Sequence, residues 1–400
     1  MARIISDDSR PTGRPGRRSS AKDKKPPPLI SYLIFLLPAL AFAIGFYAHY
    51  TSVHASPYDR LASLQKLSPP ELRVKAGLPA EFGQWLDSYP FAKLPWLLDV
   101  IFGDLMSHNM GKGLFTLVLS AATTPFAALI FDALRPGTPL MLGIGYLLLV
   151  CLIGQIVMIG FAIPAFFLPV WTWYTWRQAT HSPKVMRPLP SPPMPQIKTA
   201  SVALGLSILT AVWTLLVPPS SSKHFFWASS AFQLYPLVWL PLLFIKPVEP
   251  TKAPKSPRLA AANVLMLMAY VNIPIYWLGL YLCVPDLLTI MRTGSGWPDD
   301  ITRLIFYDTV ALTLAWYIMV LIQAEVDVRA LQCGGPRVHR ARLFIEDTVF
   351  GSVGAVLGGP GFGMGMYFAR REIMAEKARW GVQPDFATAG KEVKGAEGKK

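Results

Sequence analysis

Nine carboxylates lie in or beside long apolar stretches of this chain: Asp99, Asp104, Asp132, Asp286, Asp308, Glu325, Asp327, Glu346 and Asp347. An ionised carboxylate is costly in hydrocarbon, so each must be protonated, paired or close to water. Asp132 precedes Arg135, Glu325 and Asp327 precede Arg329, and Glu346 and Asp347 follow Arg340 and Arg342, so these five read as interfacial salt bridges. Asp308 differs. It sits in LIFYDTVALTLAWYIMVLIQ with no basic residue within four positions. A carboxyl held there in its protonated form is a Brønsted acid. The rival reading is a neutral Asp hydrogen-bonded to another helix, and the sequence leaves both open.

Rings accompany these acids: 12 Trp, 14 Tyr and 22 Phe. Trp171, Trp173, Tyr174 and Trp176 read as an interfacial belt. Phe306, Tyr307, Trp316, Tyr276 and Trp277 are candidates to line a substrate cavity whose ring faces stabilise a cation. Gln155 either orients a buried partner or makes an ordinary interhelical hydrogen bond. Signatures of other chemistries are missing. The six histidines stand singly, and Asp299 and Asp300 are followed by Ile301, Thr302 and Arg303 rather than by further magnesium-holding acids. The glycine-rich stretch 351–365 lacks the GK[ST] ending of a phosphate loop. Cys151 and Cys283 lie inside apolar blocks, which argues against a disulfide framework or a zinc site. No metal and no cofactor is therefore expected.

The elements that must carry these residues are apolar and long. Of 400 residues, 52% are hydrophobic and 16% charged, with a mean hydropathy of +0.37; an ordinary soluble chain has about 25% charged. The first block, Leu29 to Tyr50, has 22 residues without a charge and follows a basic leader. It is long enough to cross a bilayer and longer than a typical signal peptide, so it reads as a retained anchor, with a cleaved signal peptide as the alternative. Further blocks run 113–132, 139–176, 199–217, 225–245, 259–283, 304–323 and 343–368. This pattern predicts an all-α, polytopic transmembrane helical bundle of about eight spans with re-entrant segments. Residues 1–28 form a disordered basic cytoplasmic tail, 29–368 the multi-pass domain, and 369–400 a C-terminal tail disordered after 380.

The formal charge of +14 sits in tails and short loops, which suits orientation in a bilayer and not nucleic-acid binding. Loops 177–198, 246–258 and 324–342 are the basic ones and are assigned to the cytoplasmic side with the N-terminal tail. An even number of crossings must then precede loop 177–198. The block 139–176 is 38 residues long and contains Pro164 and Pro169, so it reads as two crossings turning near Gly154 to Gly160. The weakly apolar 94–110 is read as an interfacial or re-entrant helix. Glycines 351, 354, 358, 359, 361, 363 and 365 with Pro360 suggest a re-entrant hairpin in the last block.

Four segments resemble the membrane-bound terpene cyclases of fungal meroterpenoid biosynthesis, the ascochlorin and ascofuranone cyclase type. LPWLLDVIFGDLM at 94–106 is similar to that family's Leu-Pro-x-Leu-Asp segment, with one extra residue before Asp99. FYDTVALTLAW at 306–316 resembles its aromatic-Asp helix with a following Trp, and GGPGFGMGMYFARRE at 358–372 its closing Gly-Pro-Gly segment before an Arg-Glu pair. GFAIPAFFLP at 160–169 resembles a Pro-bearing segment of the same family. The glycine content of 358–366 and the long basic leader depart from the family pattern.

The resemblance implies a metal-independent, proton-initiated cyclisation of a farnesyl-type substrate, epoxidised or not, in secondary metabolism. Asp308 is the first-choice acid and Asp99 the second acid or orienting group, with Tyr307, Trp316, Gln155 and Trp277 at the substrate cavity. The partners expected are a prenylated small molecule and the lipid bilayer, with no nucleic acid, and the location is the endoplasmic reticulum. Two other classes fit the same residues: a transporter of a lipid or small apolar metabolite, and a noncatalytic membrane scaffold. A transporter calls for matching halves and broken helices near the midplane.

Overall fold

The computed structural model describes residues 63–89, 91–181, 191–245, 256–294, 296–331 and 351–379, with 43, 46 and 47. The basic leader, most of the first apolar block and the tail after 380 lie outside the described residues, as do the side chains of Glu325, Asp327, Glu346 and Asp347.

Among the described residues every regular element is helical. A short α1 (Pro69–Lys75) leads through a 3₁₀ turn (Gln84–Ser88) to α2 (Lys93–Met106) and α3 (Asn109–Ala133). Next come α4 (Ile144–Val157), α5 (Ile159–Ala162), a π-helical stretch (Ile163–Phe167) and α6 (Leu168–His181). Then follow α7 (Met194–Leu216), α8 (Ser222–Gln233), a 3₁₀ segment (Tyr235–Leu243), α9 (Pro257–Thr293) and α10 (Asp300–Leu331). Residues 351–358 form a further helix, α11, and α12 is Pro360–Arg379.

Local chemistry sets several of these ends. His108 caps α3, its Nδ1 accepting the Gly111 N–H at 3.0 Å, and Asp299 caps α10, accepting the Thr302 N–H at 2.7 Å. The two caps also bind each other, with 2.8 Å between His108 Nε2 and Asp299 Oδ2, so α3 and α10 start side by side. Gly294 ends α9 in the left-handed conformation (φ 69°), a common helix stop.

Four helices are long and apolar enough to cross a membrane: α3, α7, α9 and α10 over Asp300–Ala324. Helix α3 is the central one, with 72% of its apolar window buried, whereas only 28% of that of α7 is. The expected count of about eight spans is therefore only partly matched by single long helices. Block 225–245 divides at Leu234 into α8 and a 3₁₀ segment, because Pro236 and Pro241 each remove a backbone donor. Block 139–176 turns at Met158, inside the interval read from the sequence. Its arms pack antiparallel: the Tyr146 hydroxyl donates to the Phe166 carbonyl at 2.8 Å, and the Tyr146 and Phe167 rings stack. Helix α4, at 14 residues, is about 21 Å long, short of a ~30 Å apolar layer.

The glycine-rich end also folds back. Gly359 (φ 88°) reverses the chain between α11 and α12. The two arms touch backbone to backbone, since a Cβ on Gly363 would lie 2.5 Å from the Gly351 carbonyl oxygen. The hairpin tip rests against Ser120 of α3 and Asn272 of α9, both well inside their helices.

Candidate functional site

The turn at Met158 leaves the first N–H groups of α5 without intrahelical acceptors, as any helix start does. Met158 has φ 76°, a conformation that L-residues other than glycine rarely adopt. Asp308 of α10 supplies the missing acceptor. Its Oδ1 receives the Gly160 N–H at 2.6 Å, and the Phe161 N–H also bonds to the carboxyl. Gly160 permits this approach, because a Cβ there would sit 2.1 Å from the Asp308 carbonyl oxygen. Asp308 therefore caps a helix to which it does not belong. The hydrogen-bonded role left open by the sequence has a partner, and that partner is backbone.

Asp99 has a different setting. Helices α2 and α8 run parallel, and residues three apart on one meet residues three apart on the other. Trp96 stacks on Phe226 at 4.8 Å, the Ser229 hydroxyl donates to Asp99 Oδ1 at 2.7 Å, and Phe102 meets Phe232 at 5.6 Å. An aromatic pair thus flanks the carboxyl on each side. Asp87 steadies the outer pair, accepting the Trp96 indole N–H at 3.2 Å and binding Arg73 at 3.0 Å. Helix α2 is not among the long apolar helices. Burial pushes the Asp99 carboxyl up to about 7, opposed by the Ser229 hydrogen bond. Near neutral pH it exists as both acid and base.

From Phe102 a run of ring contacts crosses the interior. Phe102 meets Phe115 at 5.9 Å, Phe115 meets Phe232 at 5.0 Å, and Phe232 stacks on Tyr235 at 5.8 Å. Tyr235 then meets Trp239 at 5.5 Å, Trp239 meets Phe126 at 5.7 Å, and Phe126 meets Trp316 at 5.8 Å. Trp316 lies on α10 two turns beyond Asp308, fully buried, and among the described residues its Nε1 has no hydrogen-bond partner. The run joins the neighbourhoods of the two acids, while each carboxyl keeps its own partner.

The other candidates are dispersed around it. Tyr307 is half-buried, with the Arg303 guanidinium 5.9 Å from its ring centre. Gln155 is half-buried one turn after Cys151, whose thiol meets the Tyr235 hydroxyl. Trp277 is not on the aromatic run: it is 52% exposed on α9 and donates to the Leu357 carbonyl at 2.9 Å.

Sequence reasoning did not single out Ser229, although Phe226, Ser229 and Phe232 repeat the spacing of Trp96, Asp99 and Phe102. It also did not foresee the ionic cluster at the far end of α3. There Glu372 bonds both Arg135 and Arg258, Glu376 lies 3.9 Å from Arg258, and Asp132 holds Arg135 at 2.7 Å and Arg371 at 3.5 Å. Three acids offset three arginines, and the expected Asp132–Arg135 bridge is part of this cluster. Glu372 belongs to the Arg-Glu pair that carried the family resemblance. The cluster ties the end of α3, the start of α9 and the second half of α12 together.

The described residues define an all-helical protein with four helices that suit a membrane by length and composition. No family model, curated protein or solved structure matches the chain.

Proposed function

We propose that the chain is a multi-pass integral membrane protein of the endoplasmic reticulum that cyclises a prenylated substrate by protonation, without a metal. The observation that carries this reading is the buried Asp99 carboxyl, bonded by Ser229 between two aromatic pairs at one end of a buried run of rings, where burial pushes it up to about 7. An acid with a pKa near the working pH is matched to proton transfer. Aromatic faces stabilise positive charge, each by about 0.5–2 kcal/mol. In the proposed reaction Asp99 gives its proton to a terminal epoxide oxygen or alkene carbon. The neighbouring double bond closes on the cation, and a later C–H proton returns to the Asp99 carboxylate, so product and substrate have equal mass. Asp308 holds the broken helix in place and is the positioning group in this division of roles.

In the same reading the basic loops 177–198 and 246–258 face the cytoplasm. The ionic cluster then brings the end of α12 to that side, and the Gly359 hairpin is re-entrant.

A transporter remains the second reading, favoured by the interruptions at Met158 and Gly359. Microsomes carrying the chain, supplied with farnesyl-phenols and their terminal epoxides in the presence of a chelator, separate the two. A cyclic isomer formed by the wild type and lost in Asp99→Asn at equal expression supports the cyclase. Absence of any cyclic product from these substrates moves the assignment to transport.

A further inference from the structure

At the tip of the α11–α12 hairpin, polar atoms are buried without partners. Ser120 and Asn272 are fully buried, and among the described residues neither Ser120 Oγ nor Asn272 Oδ1 has a hydrogen-bond partner. Asn272 is held by its other end, Nδ2 donating to the Gly358 carbonyl at 3.2 Å, which fixes Oδ1 of the same amide as an acceptor beside the tip. Ser120 Oγ points at the turn, 2.8 Å from where a Cβ of Gly359 would be. Helix α12 starts at this point. Its first intrahelical bond is Gly363 N–H to the Gly359 carbonyl, so the earlier N–H groups of Gly361 and Phe362 face the same place.

This set contains donors and one obligate acceptor. An anion would suit the N–H groups and the serine but would be repelled by Asn272 Oδ1. A cation would suit Oδ1 but not the helix start, whose dipole is positive. A hydroxyl satisfies all of them, donating to Asn272 and accepting from Ser120 or the backbone.

The tip also lies within about one helical turn of the level of Asp308 and beside an outward face. Helices α3 and α10 start together at the His108–Asp299 contact. Ser120 is eleven residues into α3 and Asp308 eight residues into α10, so they lie about 17 and about 12 Å from that end. Tyr276 and Trp277 flank the tip, and Trp277 and Leu357, which are hydrogen-bonded to each other, are both exposed at 52% and 61%. Trp277 and Leu357 are thus the nearest outward-facing residues beside the tip.

We propose that Ser120, Asn272 and the start of α12 form a hydroxyl-binding site that takes the phenolic O–H of a prenylated phenol from the bilayer. The inference rests on the cyclase reading for its ligand, and water is the other source of the same chemistry. The test measures equilibrium binding of a farnesylated phenol and of its methyl ether to the full-length chain in lipid nanodiscs, with turnover assayed separately. The wild type is expected to prefer the phenol by about tenfold, the range of one or two neutral hydrogen bonds. Ser120→Ala should erase most of that preference by weakening only the phenol, and Asn272→Leu should act in the same direction.

Deleting an unpartnered hydroxyl should leave the melting temperature of Ser120→Ala unchanged or raised, which separates lost binding from lost fold. Equal binding of phenol and ether by the wild type, or an unchanged preference in Ser120→Ala, overturns the site. A large drop in melting temperature on Ser120→Ala does so too, because it shows the hydroxyl already satisfied by water. Hydroxyl-selective binding without any cyclic product upholds the site and removes the cyclase reading. Turnover with an unaltered phenol preference in the variant does the reverse.

Discussion

The carboxyl of Asp308 accepts the backbone N–H of Gly160 at 2.6 Å, across 148 residues of sequence. One acid on α10 thereby completes the start of a helix on another arm, and it fixes where the chain turns after Met158. This contact changes what substitutions at either residue should do.

Asp308→Asn keeps a side-chain oxygen able to accept the Gly160 N–H and should lower stability only modestly. Asp308→Leu leaves two buried N–H groups without acceptors, at about 1–3 kcal/mol each. Gly160→Ala places a methyl against the Asp308 carbonyl and should destabilise at least as much as Leu. Thermal unfolding of the three variants in detergent gives the order, and an Asp308→Leu protein as stable as Asp308→Asn would contradict the cap.

Asp99 should control both rate and its pH dependence. The donor form is the protonated acid, so cyclisation should fall as pH rises through about 7. Asp99→Asn should remove turnover by a factor of about 10² or more with the fold intact. Ser229→Ala removes the hydroxyl that favours the carboxylate, so the profile should move to higher pH. A profile that stays in place when Ser229 is changed assigns the titration to another group.

The same carboxyl affects stability, with a defined sign. Burial raises its native pKa to about 7 from the ordinary 3.8 of an aspartate, so the folded chain holds this proton more tightly than the unfolded one. Stability should fall as pH rises from about 4 to about 7 and level off above that, by up to about 4 kcal/mol. Thermal unfolding of wild type and Asp99→Asn across this interval measures the difference, which should vanish at the acid end.

Glu372 is the shared partner of Arg135 and Arg258, and all three are buried. Glu372→Ala leaves two buried guanidinium groups facing one another and should destabilise by about 3–5 kcal/mol. Replacement of Arg371, which is more exposed and bonds Asp132 at 3.5 Å, should be milder. Thermal unfolding of both variants tests the ranking.

The cluster also has a topological consequence. Because it joins the second half of α12 to the start of α9, a tag after residue 379 and a tag within 246–255 should be accessible from the same face. Protease protection of sealed microsomes reads this directly. Tags on opposite faces would exclude the re-entrant hairpin.

Much of the helical architecture was legible because it depends on local chemistry. Apolar length marked α3, α7, α9 and α10, the i,i+3 spacing of Asp132 and Arg135 marked their bridge, and the glycines around Gly359 marked the reversal before α12. Block 225–245 was misleading. Hydropathy registers its apolar side chains but not the donors that Pro236 and Pro241 take from the backbone, so the expected span is a short helix and a 3₁₀ segment.

The sequence by itself determined that Asp308 is an isolated acid in apolar surroundings with aromatic residues nearby, while Asp99 stood out only through the family resemblance. Tertiary structure alone decided how they differ. The partners that set their chemistry are 130 residues away for Asp99 and 148 for Asp308. No periodicity reports such distances, because helix spacing fixes which face a side chain occupies and not which helix lies opposite. Packing set a hydroxyl and stacked rings beside one carboxyl, and a helix start against the other.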